Sequence, residues 1–216
     1  MSLAKLLQLA SPALPVGAYS YSGGLEAAVE DGMVRDAASA EQWIGGVLEF
    51  SVARMEGPIV FSLISAFAQK DLSKVKEKNE MLLASRETAE LRAETVQMGY
   101  SLNRLLKDLG LGEVPVEEPS FPAAFAYAAA QWKIEPDAAL QAYLWAWLEN
   151  QVMAALKAVP LGQTDGQRML LSLGDRIEGL AKKTMRMKDE DLGNFAPGLA
   201  MLSSKHETQY SRLFRS

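Results

Sequence analysis

The sequence contains no cysteine and a single histidine, His206, among 216 residues. The missing cysteines exclude a disulfide framework and a thiolate metal site. One imidazole cannot build a closed zinc site or a Ser–His–Asp triad with a choice of bases. Long apolar runs are also missing. None approaches the roughly 20 residues that a membrane span needs. The opening MSLAKLLQLASPA is too short and too amphipathic for a secretory signal. An excess of positive charge is lacking as well: 22 Lys and Arg stand against 27 Asp and Glu, a net charge of -5. That is the wrong sign for non-specific nucleic-acid binding. The one compact basic run, KKTMRMK (Lys182 to Lys188), reads as a solvated helix end, and the DEDLG after it neutralises any wider patch. These absences point to a cytoplasmic protein with neither a membrane nor a nucleic acid as partner.

Strand signals are sparse too. No segment sustains a period-two pattern of β-branched residues, and hairpin dipeptides flanked by such runs are absent. What is present is helical periodicity. From Leu140 the apolar positions fall at Leu144, Trp147, Leu148, Val152, Ala155 and Leu156, in steps that keep one helix face. Tyr143, Trp145, Ala146, Met153 and Ala154 widen that face, so this helix is expected to be central, opened by Pro136 and stopped by Pro160. Ser39 with Gln42, and Thr164 with Gln167, read as capping boxes opening two further helices, the second running to Met185. RETAELRAETVQMGYSLNRLLKDLG reads as a helix ended by Gly110, with Met81 to Ser85 leading into it. FPAAFAYAAAQW reads as a short helix beginning near Pro122. The expected fold is all-α: one domain over residues 1–216, a bundle of about eight to ten helices with a polar and aromatic C-terminal tail. GEVPVEEPS (Gly112 to Ser120) is a linker inside it.

The richest local chemistry lies in SPALPVGAYSYSGGLE (Ser11 to Glu26). Its glycines raise the question of phosphate binding. G-x-x-x-x-G-K-[ST] and G-x-G-x-x-G are both absent, and no lysine follows Gly23, so the chain is not expected to bind and hydrolyse a nucleotide itself. Pro12 and Pro15 enforce an extended lead-in, and Gly17 permits a positive φ. Tyr19 and Tyr21 carry interface chemistry. Ser22 is placed to cap a helix starting near Gly23, with Glu26 in its first turn. A turn and cap that merely start the fold is the plainer alternative. The pairs Glu87/Glu90 and Glu90/Glu94 read as surface ion pairs among arginines, not acid/base dyads. His206 reads as an exposed tail residue; its sharper alternative is a weak ligand for a borderline metal, completed by another chain.

Four segments together carry a resemblance. LLQLASPALPVGAYSYSGGLEAAVE (Leu6 to Glu30), SRETAELRAETVQMGYSL (Ser85 to Leu102), ALKAVPLGQTDGQRML (Ala155 to Leu170) and HETQYSRLFRS (His206 to Ser216) resemble, in order and over essentially the whole chain, the urease accessory protein family UreF. One departure is that Ala18 and Gly23 stand where the family often has a larger or amide residue, as in GGFSYSQGLE. The resemblance implies a cytoplasmic maturation chaperone that is not an enzyme. It implies a homodimer that binds UreD (also called UreH), recruits the GTPase UreG and docks on apo-urease. No cofactor is then bound stably, and nickel and GTP are handled through the partners.

On that reading Glu26 and its neighbours help form the surface or passage used in nickel transfer. Lys157, a cation on terminal helix carbonyls by its position alone, becomes a contact for UreG. Gln163 and Gln167 hold the adjoining loop. In the tail, Tyr210, Leu213 and Phe214 are costly to leave in water, and Arg212 and Arg215 can grip acidic groups. The tail from residue 203, with His206 in it, is therefore expected to become ordered on UreD, and the lead-in of residues 1–20 on a partner too. The alternatives are a passive adaptor with no effect on GTP turnover and a small α-helical enzyme using Glu, Asp and Tyr.

Overall fold

A computed structural model describes residues 3–216 of the chain; the first two residues of the lead-in lie outside the described residues. The described residues form helices and connecting turns with no strand. The all-α expectation holds. The helices are α1 (Leu3–Ala10), α2 (Leu25–Glu30), α3 (Ala37–Val47), α4 (Gly57–Gln69), α5 (Leu72–Ala84), α6 (Ala89–Asp108), α7 (Phe121–Gln131), α8 (Pro136–Ala158), α9 (Gln163–Gly174), α10 (Ile177–Thr184) and α11 (Pro197–His206). A π-helical segment, Leu48–Glu56, fuses α3 to α4. None of these helices is long and apolar enough to cross a membrane.

α8 is the axle, as its periodicity predicts. Leu140, Leu144, Leu148, Val152 and Ala155 are buried in one row, and Tyr143 and Ala154 are buried beside them. Around it pack α1, α2, α3, α4, α7, α9 and α10. Met153 departs from the expectation: it faces outward. α7 is buried along nearly its whole length because its alanines let α4 and α6 approach closely.

Four boundaries differ from the sequence reading. Asp36, not Ser39, caps α3: its carboxylate accepts the Ser39 N–H at 2.9 Å, and Ser39 Oγ accepts the Asp36 N–H at 3.1 Å. α9 starts at Gln163, with Asp165 Oδ2 accepting the Gly162 N–H at 3.2 Å, so Thr164 is already helical. The helix expected from Thr164 to Met185 divides at Gly174, a weak helix former, where the last turn of α9 tightens. Met81 belongs to α5, a separate helix, and Thr88 caps α6 by accepting the Leu91 N–H.

The 112–120 segment is pinned to the bundle by two asparagines. Asn103 Oδ1 accepts the Val114 N–H at 2.7 Å, while Asn79 donates to Glu118 O and accepts from Ser120 N, both at 2.9 Å. It crosses α6 at Gly99, where a Cβ would stand 2.0 Å from Pro119 O. Only glycine allows that crossing.

Candidate partner-docking site

The lead-in folds as its prolines and glycines dictate. Tight turns at Ser11–Val16 feed Gly17, whose φ is 77°, and a 3-10 turn over Ala18–Ser20. Gly24, with φ 81°, starts α2. A Cβ at Gly24 would also stand 2.9 Å from Leu199 Cδ1, so its absence lets α2 lie directly on α11. Ser22 Oγ accepts the Glu26 N–H at 3.2 Å, which is the expected cap in function.

α11 and the residues after it return to this segment. Glu26, only 6% exposed, is the hub. Its Oε1 accepts the Leu213 N–H at 2.7 Å and its Oε2 the Phe214 N–H at 2.9 Å. His206 Nε2 lies 3.2 Å from the same Oε2, and His206 Nδ1 lies 2.6 Å from Glu90 Oε2 on α6. Arg212 donates to Glu90 Oε1 at 2.6 Å and to the carbonyls of Gln209 and Glu207. Further along, Arg215 N–H donates to Ser20 O, and Ser22 donates through both N–H and Oγ to Ser216 O. Ser216 Oγ donates to Glu94 Oε2 at 2.6 Å. Glu207 joins the clasp from the other side by accepting the Ala89 and Glu90 N–H groups at the start of α6.

This geometry corrects several expectations. His206 is no exposed tail residue: it is fully buried at the end of α11, both ring nitrogens facing carboxylates. No group of three or more potential ligands among the described residues is arranged to hold a metal ion. Glu90 and Glu94 are not paired with surface arginines on α6; their i, i+4 spacing turns both toward the tail. Tyr21, expected as contact surface, is 5% exposed and donates its hydroxyl to Gln97 Oε1. Phe214, expected against a partner, is buried in this chain's own core, and Arg212 is committed to Glu90. The end of the tail packs on its own chain through Phe214 and Ser216.

Other candidates remain outward. Tyr19 is 71% exposed; Tyr210 and Leu213 are exposed, as are Arg215, Gln163 and Gln167. Lys157, in the last turn of α8, bridges lead-in and tail. Its Nζ donates to Tyr19 O at 3.3 Å and stands 5.7 Å from the Tyr19 ring centroid and 5.6 Å from that of Phe214. The structure therefore joins Tyr19, Lys157 and the tail in one surface. Gln163 and Gln167 sit on the exposed side of α9 and make no side-chain bond to it.

Beneath this surface lies a cavity of about 210 Å³. Its walls include Val47, Leu91, Met98, Phe121 and Trp147, and its floor carries a polar group that the sequence did not single out. Glu56, at the end of the π segment, accepts from Arg86 at 2.9 Å and from the Tyr143 hydroxyl. Burial raises the Tyr143 hydroxyl well above its ordinary range, and the Glu56 carboxylate adds to this. Burial opposes the charge of Arg86, but Glu56 more than offsets it. Glu94 is pushed up to about 7 by burial, against the lowering effects of Ser216 and Arg86, with Glu56 adding to the rise. The signal that could have found the group is the π segment itself, since such insertions mark strained or functional places in helices, but no local pattern announces one.

The UreF family profile matches residues 34–174. The chain is 59% identical to the urease accessory protein UreF of Azoarcus sp. (strain BH72), over 100% of this chain and 96% of the relative. It is 52% identical to that of Dechloromonas aromatica (strain RCB) and 50% identical to that of Janthinobacterium sp. (strain Marseille), in each case over 100% of this chain and 98% of the relative. The chain belongs to the UreF family of urease accessory proteins.

Proposed function

We propose that this protein is a non-enzymatic maturation chaperone whose clasped tail completes the surface it offers to its partners. It works in the cytoplasm, as a homodimer, with UreD, the GTPase UreG and apo-urease, and it couples UreG turnover to nickel delivery. The observation that carries this reading is Glu26, which ties the SYSGGLE segment to the main chain of the tail. Once tied, the tail leaves Leu213 and Tyr210 outward and brings the Phe214 ring to Lys157, which also faces Tyr19. Exposed aromatic and aliphatic groups around a cation suit a protein partner. Glu26 has both oxygens engaged, so its part in nickel transfer is to hold the tail, not to carry the cation. Nickel and GTP stay with the partners.

The test is reconstitution of apo-urease with UreD, UreG, GTP and nickel, with and without this chain, together with its variant truncated after Ser204. The full chain is expected to support activation and to alter UreG hydrolysis; the truncated one is expected to lose UreD binding. Unchanged GTP turnover would reduce the role to a passive adaptor. Retained UreD binding by the truncated chain would remove the tail from the surface.

A further inference from the structure

The clasped tail rests on groups that must share protons. Glu26, His206 and Glu90, from α2, α11 and α6, form a carboxylate–imidazole–carboxylate row in which Glu26 and His206 are buried and Glu90 is partly buried. An ionised carboxylate only accepts, and a neutral imidazole donates from one nitrogen alone. Both bonds of the row are made only when it holds one proton more than a neutral ring between two carboxylates. Arg212 of the tail is the other charge facing the row, 2.6 Å from Glu90. Lys205 is turned away onto Asp31, and Glu207 onto the start of α6. One turn along α6, Glu94 receives Ser216 Oγ. It is faced by Arg86 ahead of α6, by Glu56 of the π segment and by Tyr143 of α8, with Tyr21 and Arg215 alongside. Burial holds the Glu94 carboxyl up at about 7, so the tail closes over a group that exchanges its proton near neutrality.

We propose that tail docking is proton-linked: residues 209–216 stay clasped while the Glu26–His206–Glu90 row holds its full set of protons, and loosen when it loses one. The functional consequence rests on the reading above, because the surface of Tyr19, Lys157 and the tail is then assembled at lower pH and dispersed at higher pH. Loss of the proton sets a lone pair of the fully buried imidazole against a carboxylate oxygen. Turning Glu26 toward water relieves that contact and frees the Leu213 and Phe214 amides.

Hydrogen exchange of the 207–216 segment in the full chain tests this, corrected for the intrinsic pH dependence of amide exchange and referenced to α8. Protection of the Leu213 and Phe214 amides is expected to fall about tenfold or more as pH is raised from about 6 to about 8.5, while α8 stays constant. His206→Gln, which cannot take up a proton, is expected to flatten this dependence. Flat protection in the unaltered protein overturns the proposal, and so does an unchanged dependence in a helical His206→Gln variant. Should that variant not fold, Glu90→Gln takes its place with the same expectation. UreD binding, measured in parallel, separates the two readings. Flat protection with tail-dependent binding removes proton linkage alone; pH-dependent protection with tail-independent binding removes the docking surface alone.

Discussion

Replacing Glu26 by alanine removes three bonds at once: those from the Leu213 and Phe214 amides at 2.7 and 2.9 Å, and that from His206 at 3.2 Å. Hydrogen bonds to a charged acceptor contribute about 1.5–3 kcal/mol each. Leu213 is exposed and its freed amide reaches water; Phe214 is buried and its amide does not. The two tail bonds together are therefore worth about 3 kcal/mol, near the lower end of their sum. At about 1.4 kcal/mol per tenfold, docking of the tail is expected to weaken about a hundredfold. The bundle itself should survive, because the bonds of the Glu26 side chain go to His206 of α11 and to the tail amides, not to α8. Ser22→Ala is the graded comparison. It removes one cap bond and one bond to Ser216 and should cost about 1 kcal/mol. Exchange protection of the tail amides, with circular dichroism for the core, measures both. The reasoning fails if Glu26→Ala leaves tail protection within about twofold of the unaltered protein, or if Ser22→Ala opens the tail more than Glu26→Ala does.

Glu94→Gln tests the buried carboxyl. With its value raised from 4.5 to about 7, Glu94 contributes stability that is full below about 4.5 and is lost as pH rises through 7. At 1.36 kcal/mol per unit the loss is at most about 3 kcal/mol, and less because the residue keeps some solvent contact. The glutamine variant lacks this loss, so urea unfolding should show its advantage growing between about pH 5 and about pH 8; no growth would refute the burial argument. Gly99→Ala should cost about 2 kcal/mol or more despite alanine's better helix propensity, since the new Cβ meets Pro119 O at 2.0 Å. A neutral or stabilised variant in thermal unfolding would contradict the crossing. Lys157→Ala should cost under about 1 kcal/mol of stability, the worth of exposed cation–π contacts, yet weaken UreG recruitment. Unaltered recruitment in a pull-down leaves Lys157 only its structural role.

The helices were legible because their signals are local. The α8 periodicity, Pro136 and Pro160, and the alanines of α7 each act within a few residues, and the structure agrees with them. Boundaries were less so: Asp36 and Ser39 are both good capping residues, and only the backbone geometry decides which one ends the turn. The site divided along the same line. Ser22, Glu26 and the tail were singled out by residue chemistry and resemblance. Their mutual contact joins residues 187 and 188 positions apart, which no sequence period can encode. The same distance hid His206, a tail residue in sequence and a core residue in space. It also hid Glu90 and Glu94, whose acidic helical spacing is ordinary for a surface.

What the clasp leaves outside bears most directly on function. An extended segment points successive side chains to opposite faces. In the last residues Phe214 and Ser216 turn inward while Leu213 and Arg215 turn outward. Burial of Phe214 and the bonds of Ser216 account for the inward pair within this chain. Nothing in the packing of the described residues accounts for Leu213 or Tyr210, which remain in solvent although they would gain by burial. Holding them there uses a buried glutamate, a buried histidine and an arginine. A tail needed only to cover the core could end at the inward contacts with smaller outward residues. The outward pair is thus the part of the tail that folding alone leaves unexplained, and Leu213→Ser with Tyr210→Ser should weaken partner binding while leaving tail protection intact. Loss of protection instead would return both residues to the fold.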